Sequence, residues 1–315
     1  MAEMQTPTRL DSAALSDAEL GEIYAMYRQC RTAAAPDDPL PAVAELVRME
    51  RGAKSESSQD SEWLVDGGFA RLEMRRGRAH ADVGLAVAPH ARRRGVGRHL
   101  FSFLAGQARA AGRRSIVGAH CDEAGAAFAA SLGARRGNTH LVSTLALPIV
   151  LRPEPVPGYR VLSWADEPPE ELVDSWVVAL ASINDAPRSP GIEPSRIEAQ
   201  LVRDRVANLV ARGVQYRVTF VLDPAGEVVG LTETHLGGEP GAVARTTATT
   251  VLAEHRRRGL AQWLKAESLA RLMEQRPDVT IVRTVNDETN AGMLAINRAV
   301  GFRTAAAYTD AIVDL

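Results

Sequence analysis

One short pattern occurs twice in this chain of 315 residues. The first copy runs from Val87 to Gly97 and the second from Val251 to Ala261, and both carry three consecutive arginines followed by a glycine. Equivalent residues of the two copies are 164 positions apart. Because domains usually contain about 100 to 200 residues, a repeat at this distance indicates two similar domains in tandem. We predict one domain over residues 1–150 and a second over residues 151–315, joined by a proline-rich stretch.

The apolar pattern and the turn residues predict the same order of elements in both halves. Each copy of the repeat lies between a strand and a helix. The first domain is predicted to have helices at 16–29 and 41–51 and strands at 62–65, 68–74 and 79–87. The second is predicted to have strands at 159–163, 215–222, 228–235, 242–251 and 280–285, helices at 168–182, 194–212, 259–275 and 290–300, and a last strand beyond Phe302.

Composition excludes several classes of protein. A net charge of −2 argues against a general nucleic-acid binder despite the arginine triplets. No apolar run of about 18 residues predicts a membrane span, and the N-terminal residues lack a secretion signal. Two cysteines are too few for a disulfide framework or a cysteine-built zinc site, so no metal is predicted. We expect a cytoplasmic protein, a monomer or homodimer, and the arginine-rich, lysine-poor composition suggests a bacterial source.

The repeated turn has the chemistry of an anion site. A strand that enters a helix through Arg-x-x-Gly-x-Gly or Arg-x-x-Gly-x-Ala exposes unpaired N–H groups at the helix start, where the helix dipole favours negative charge. A pyrophosphate would fit there, and neither turn has the pattern of a P-loop or a Rossmann turn. The candidate binding residues are Val87, Arg92, Arg93, Arg94, Gly95, Val96 and Gly97 in the first copy, and Val251, Leu252, Arg256, Arg257, Arg258, Gly259, Leu260 and Ala261 in the second.

The second copy and the residues after it resemble a known family. Arg256-x-x-Gly259-x-Ala261, then a helix, a strand and the segment from Asn290 to Phe302, resemble the core signature of the GNAT acetyltransferase superfamily. Since the first copy resembles the same motif, the chain is similar to tandem GNAT proteins, an arrangement that mycothiol synthase also has. The resemblance implies an α/β (α+β) fold of two GNAT domains, each with a mixed, mostly antiparallel, splayed sheet flanked by helices.

The resemblance also implies an activity. It is the transfer of an acetyl group from acetyl-CoA to the primary amine of a small molecule, such as an antibiotic, an amino sugar or a thiol precursor. The amine attacks directly, an N–H near Val251 or Leu252 stabilises the oxyanion, and Asn290 matches the family's cofactor-contacting asparagine. Coenzyme A is the product.

The usual acid and base of the family are missing. Asn297 stands where many members have a tyrosine that protonates the leaving thiolate, and an amide is no acid. Glu233 and His235 on the preceding strand are candidate bases, and Tyr308 in the last strand is a candidate hydroxyl near the thiolate. A structural role for these residues remains an alternative.

The first domain departs further from the family pattern. Asp122 stands opposite Asn290, and Ala129 opposite Asn297. We therefore expect catalysis in the second domain and a degenerate first domain. A non-catalytic acyl-CoA-binding or regulatory protein, and catalysis in the N-terminal domain, remain alternatives.

Overall fold

The chain divides into two compact units in a computed structural model that describes residues 5–52, 58–150, 154–165, 168–238, 241 and 243–315. The N-terminal unit contains the described residues up to Thr139, with Ser189–Glu193 and Ala306–Leu315. The C-terminal unit contains the described residues of His140–Arg188 and Pro194–Ala305. This division differs from a single boundary near residue 150, because each unit includes a strand from the other half of the sequence. Part of the proline-rich stretch, 151–153, lies outside the described residues.

The described elements follow the predicted order closely. The helices are α1 (Asp17–Ala34), α2 (Val43–Arg51), α3 (Val96–Ala110), α4 (Glu123–Ser131), α5 (Val173–Ala181), α6 (Ala199–Ala211), α7 (Leu260–Gln275) and α8 (Ala291–Val300). The strands are β1 (Thr8–Arg9), β2 (Ser58–Val65), β3 (Gly68–Arg75), β4 (His80–Val87), β5 (Ser115–His120), β6 (Arg135–Ala146), β7 (Arg160–Ala165), β8 (Val214–Leu222), β9 (Val228–Gly237), β10 (Ala244–Val251), β11 (Ile281–Asp287) and β12 (Arg303–Asp314).

Each unit has a mixed, mostly antiparallel sheet with helices packed on it. The strand order is β1-β2-β3-β4-β5-β12 in the N-terminal unit and β6-β11-β10-β9-β8-β7 in the C-terminal unit. In each sheet one neighbouring pair is parallel, namely β4 with β5 and β10 with β11. The predicted fold class is confirmed.

The outer strand beside each parallel pair comes from a distant part of the sequence. Residues Thr309–Asp314 of β12 pair antiparallel with β5, and residues His140–Ala146 of β6 pair antiparallel with β11. The sequence analysis expected the last strand to belong to the second domain. Because most of β12 joins the N-terminal sheet, its side chains belong to that unit.

The local signals explain where helices begin. Ser16 caps α1 in a capping box, with its hydroxyl accepting from Glu19 N–H at 3.3 Å and the Glu19 carboxylate accepting from Ser16 N–H at 2.7 Å. The apolar stripe of α3 places Leu100, Leu104 and Ala108 in the core of the N-terminal unit. No helix in the described part of the chain is long and apolar enough to cross a bilayer.

The C-terminal core contains one lysine. Lys265 on α7 is 3% exposed, and its ammonium lies 5.5 Å from the centre of the Phe302 ring. Burial lowers the pKa of Lys265 to about 8. Because the unfolded chain binds this proton up to its ordinary pKa of about 10.5, stability should rise with pH between these two values.

We therefore expect Lys265→Met to stabilise the C-terminal unit at pH 7 by about 2 to 3 kcal/mol. Methionine fills a similar volume without a charge to desolvate. Urea unfolding at pH 7 and at pH 10 measures the effect, which should shrink at the higher pH. Arg271→Met, on the same helix but half-exposed, is the control. A gain that is equal at both pH values would contradict the role of the buried ammonium.

Candidate functional site

The two repeated turns have the same backbone. Arg93 and Arg257 both have φ of 61°, and they are the non-glycine residues with positive φ in the described part of the chain. Gly95 (φ 88°) and Gly259 (φ 83°) follow at the N-caps of α3 and α7. Left-handed backbone at a non-glycine residue costs about 1 to 3 kcal/mol and is concentrated at functional sites. Its presence in both copies indicates that both turns keep a functional geometry.

The first arginine of each turn holds the turn to its strand. Arg92 Nε donates to the carbonyl of Val87 at 3.1 Å, and Arg256 Nε donates to the carbonyl of Val251 at 2.8 Å. Arg256 also pairs with Asp185. These two guanidinium groups are therefore used, at least in part, to close the turn.

The other arginines differ between the turns. Arg258 donates to the Tyr159 hydroxyl at 3.1 Å and to the carbonyl of Glu254 at 3.2 Å. Arg93, Arg94 and Arg257 are exposed. Among the described residues these three have no side-chain partner, so they are available for a phosphate.

The helix starts supply the backbone donors. In α3 the first intrahelical bond runs from His99 N–H to Gly95 O at 2.9 Å, and in α7 it runs from Trp263 N–H to Gly259 O at 3.0 Å. The N–H groups before them have no intrahelical acceptor. They include Val96, Gly97, Leu260 and Ala261. These donors and the exposed arginines together fit the pyrophosphate of an acyl-CoA.

Each parallel strand pair opens into a V towards its turn. The pairing of β4 with β5 covers His80–Asp82 opposite Ser115–Val117. The pairing of β10 with β11 covers Ala244–Thr246 opposite Val282–Thr284. Beyond these residues the facing edges of the two strands do not hydrogen-bond to each other. An extended ligand that contains amide groups can therefore hydrogen-bond along such an edge.

The backbone hydrogen bonds beside these open edges correct the predicted oxyanion role of Leu252. Leu252 N–H donates to the carbonyl of Val229 at 2.9 Å, so it is not free to stabilise an oxyanion. Because successive N–H groups of a strand point to opposite edges, Val251 N–H points to the edge that β11 leaves open. The N-terminal unit repeats this arrangement, since Ala88 N–H donates to the carbonyl of Gly67 at 2.9 Å.

The two V-shaped openings differ at their closed ends. In the C-terminal unit β10 has a bulge between Thr246 and Ala248, where it leaves β11. The pairing of β3 with β4 is regular from Gly68–Val87 to Glu73–Asp82. Bulges often re-aim side chains beside active sites. Here the bulge places Thr247 Oγ1 3.5 Å from Nε2 of His235.

Glu233 is a fully enclosed carboxylate. It is 0% exposed and accepts from Arg205 at 3.0 and 2.6 Å and from the Tyr216 hydroxyl at 2.8 Å. Three donors already occupy its oxygens, so the contacts favour a structural role over the base role that the sequence suggested. That base role remains a prediction.

His235 lies on the same strand face as Glu233. Its ring is 5.4 Å from that of Tyr216. Burial lowers the pKa of His235 to about 4; Glu233 opposes this shift, and Arg205 and Arg245 add to it. The imidazole is therefore neutral at pH 7 and can accept a proton, although it is a weak base.

The closing helix offers amides and no acid. Asn290 Oδ1 accepts from Met293 N–H at 3.2 Å and caps α8, as Asp122 caps α4 by accepting from Gly125 N–H at 2.7 Å. Asn297 is 2% exposed and donates to Asn286 Oδ1 at 2.7 Å. Its Oδ1 has no hydrogen-bond partner within the described ranges.

Tyr308 does not lie with these residues. It belongs to the part of β12 in the N-terminal unit, where its hydroxyl donates to Asp38 Oδ2 at 2.7 Å and accepts from Arg31 at 3.1 Å. Its predicted place in the C-terminal site is therefore corrected. Spacing along the chain cannot show which sheet a terminal strand joins, so the sequence analysis also missed Arg31 and Asp38.

Comparisons with known proteins agree with this geometry. Residues 22–134 match the family model of the acetyltransferase (GNAT) family. A tandem GNAT protein from the clavulanic acid biosynthesis pathway is similar over 99% of this chain and 98% of its own, with 25% identity and a TM-score of 0.79. Residues 22–134 therefore form a GNAT acetyltransferase domain, and the chain has the fold of a tandem GNAT protein.

A second solved structure supports this fold. The match with the GCN5-related N-acetyltransferase from Sphaerobacter thermophilus covers 96% of this chain and 94% of that protein, with 18% identity and a TM-score of 0.72. No curated protein sequence matches the chain. The family model matches the half of the chain that holds Arg92–Gly97, although the sequence analysis expected that half to be degenerate.

Proposed function

We propose that this tandem GNAT protein is an acetyl-CoA-dependent N-acetyltransferase that acetylates the primary amine of a small molecule. The observation that carries the proposal is the shared geometry of the two turns, each with left-handed backbone, free helix N–H groups and exposed arginines beside an open strand edge. The amine belongs to an antibiotic, an amino sugar or a thiol precursor.

The C-terminal unit has residues suited to the reaction. A neutral amine attacks the thioester carbonyl, and the C–N bond forms. Val251 N–H faces the open strand edge, where it can donate a hydrogen bond to the oxyanion. His235 lies beside the bulge and takes the proton that the attacking nitrogen loses. The C–S bond breaks, and the thiolate leaves without a protein acid, since Asn297 is an amide; the thiolate then takes its proton from solvent.

The acyl-CoA would be held by residues of this chain. The turn from Arg256 to Ala261 would hold the pyrophosphate, and the β10 edge that ends at Val251 would pair with the pantetheine arm. Asn290 Oδ1 caps α8, which leaves its Nδ2 to donate to the ligand. The bound acyl-CoA supplies the activated acetyl group.

The proposal is tested with the full chain, acetyl-CoA and separate amines: glucosamine, spermidine, lysine and kanamycin. Thiol release is followed continuously, and the acetylated product is identified by its mass. We expect release that depends on one class of amine and yields one acetylamide per thiol. Binding of coenzyme A without amine-dependent thiol release would favour the non-catalytic alternative and overturn the proposal. The absence of both binding and release would also overturn it.

A further inference from the structure

Two arginines lie side by side at the closed end of the V between β10 and β11. Arg245 of β10 is in parallel register with Arg283 of β11 and in antiparallel register with His235 of β9. Residues paired in this way carry their side chains on the same face of a sheet. The register therefore places two guanidinium groups and an imidazole in one row across three neighbouring strands.

This row lies on the sheet face that α5 and α6 cover. Ala244 and Val282, which precede the two arginines, belong to the apolar core under α7. Because side chains alternate along a strand, Arg245 and Arg283 point to the opposite face. Tyr216, the next member of the row on β8, packs there with residues of α5 and α6.

The row is accessible to a ligand. His235, Arg245 and Arg283 are half-buried. Thr247 at the bulge is exposed, and Val285, two residues beyond Arg283 and therefore on the same face, is 41% exposed. The floor of the opening thus combines two cations with an apolar side chain, which suits a small molecule that has a charged end and an aliphatic or sugar part.

The chemistry of the row favours an anion. Like charges on directly neighbouring strand positions destabilise a sheet, and an anion between them reverses the sign of this interaction. Each guanidinium has five N–H donors in one plane, so it can bind a carboxylate or phosphate as well as a protein partner. Glu233, on the same face, is enclosed and already accepts from Arg205 and Tyr216, so its charge does not face the ligand.

The distances across the row fit a small acceptor. His235 is the group that takes the proton of the attacking nitrogen in the proposed reaction, and Arg245 lies directly opposite it on the next strand. Since neighbouring strands are about 4.8 Å apart, Arg245 and Arg283 lie about one and two strand spacings from the imidazole. A molecule with an amine and an anion about 5 to 10 Å apart can therefore span the row.

We propose that the acceptor of the C-terminal site is an amine that also carries a carboxylate or phosphate group, which Arg245 and Arg283 bind while the amine lies at His235. The inference rests on the proposed function and narrows its substrates to one class. The two guanidinium groups fix the far end of the acceptor, and the Val285 side chain contacts its middle. The same pair rejects amines that carry a second positive charge.

Matched pairs of amines test the inference with the full chain and acetyl-CoA. One pair is 6-aminohexanoate and hexylamine, and the other is glucosamine 6-phosphate and glucosamine. Each pair shares one kind of amine, so the ratio of the two kcat/KM values isolates the anion. We expect at least about a 10-fold preference for the anionic member of one pair, as for hydrogen bonds to a charged group. That pair identifies the group as carboxylate or phosphate, and spermidine should be the poorest acceptor.

Reversing the charge of the row is the decisive change. Arg245→Glu should lower the ratio by at least about 100-fold, since it replaces an attraction by a repulsion, and spermidine should gain over 6-aminohexanoate. The change should appear in the KM of the acceptor and not in the KM of acetyl-CoA. Arg283→Gln should lower the ratio about 10-fold in the same way, and it repeats the test if Arg245→Glu does not fold.

Arg217→Gln is the matched control. Arg217 is another half-buried strand arginine of the same sheet, but it follows Tyr216 and so points to the other face, where it bonds to Gln275. We expect it to leave the ratio unchanged. If the replacements of Arg245 and Arg283 also leave the ratio unchanged, the two arginines are merely structural and the inference is overturned.

The wild-type measurements separate this inference from the proposed function. If no amine causes thiol release, the proposed function fails and the inference fails with it. If release occurs but hexylamine and glucosamine equal or exceed their anionic partners, the proposed function stands and only the inference is overturned.

Discussion

Arg205→Leu is expected to lower the free energy of unfolding of the C-terminal unit by about 3 to 5 kcal/mol. Glu233 is 0% exposed, and Arg205 supplies two of the three hydrogen bonds that it accepts. Without the guanidinium, a carboxylate buried between α6 and the sheet keeps only the Tyr216 hydroxyl. The cost arises from the unpaired charge that remains, rather than from the ion pair itself.

Urea unfolding of the full chain measures this loss. Arg271→Leu is the control, because Arg271 pairs with Glu267 one turn away on a partly exposed helix face, and i,i+4 helix pairs contribute about 0.3 to 0.5 kcal/mol. The double variant Arg205→Leu, Glu233→Leu should regain most of the stability, since no charge is left unpaired. A double variant as unstable as Arg205→Leu alone would show that packing of the arginine stem matters more than charge.

Gly259→Glu is expected to weaken the binding of coenzyme A at the C-terminal turn by at least about 100-fold, which corresponds to about 2.7 kcal/mol. Two effects combine. Gly259 has φ of 83°, which a side chain adopts only with strain. The added carboxylate lies at the N-terminus of α7, where the pyrophosphate would bind, and the two negative charges repel each other.

Isothermal titration with coenzyme A measures the number of sites. We expect two sites in the wild type and one in either Gly259→Glu or Gly95→Glu. Gly241→Glu and Gly112→Glu are matched controls, because these glycines have φ of 72° and 71° and nothing lies within 4 Å of an added Cβ. Two sites in Gly259→Glu, or lost binding in the controls, would contradict the assignment of the turn.

Local interactions explain why so much of the fold could be predicted from the sequence. The turn from Val251 to Ala261 and the helix starts at Ser16 and Gly259 depend on residues within a few positions of one another. Strand β6 was not predicted, because its sequence between Arg135 and Ala146 has no strong alternation and its pairing partner β11 is far along the chain.

The candidate site was less accessible to sequence reasoning. Glu233 looked like an available base, because an isolated strand sequence does not show Arg205 on a helix that packs against it. That Asn297 offers no acid follows from the residue type alone. Its buried partner Asn286 required the structure.

The sequence by itself determined the two turns, because glycine at a helix start and arginine beside it act through their own backbone. It also determined the order of strands and helices that resembles the GNAT family. Only the tertiary structure decided which sheet receives β12, and therefore that Tyr308 meets Asp38 and Arg31. The physical reason is that strand pairing joins backbone groups that are alike in every strand. The partner is selected by the packing of the whole sheet, which no local pattern records.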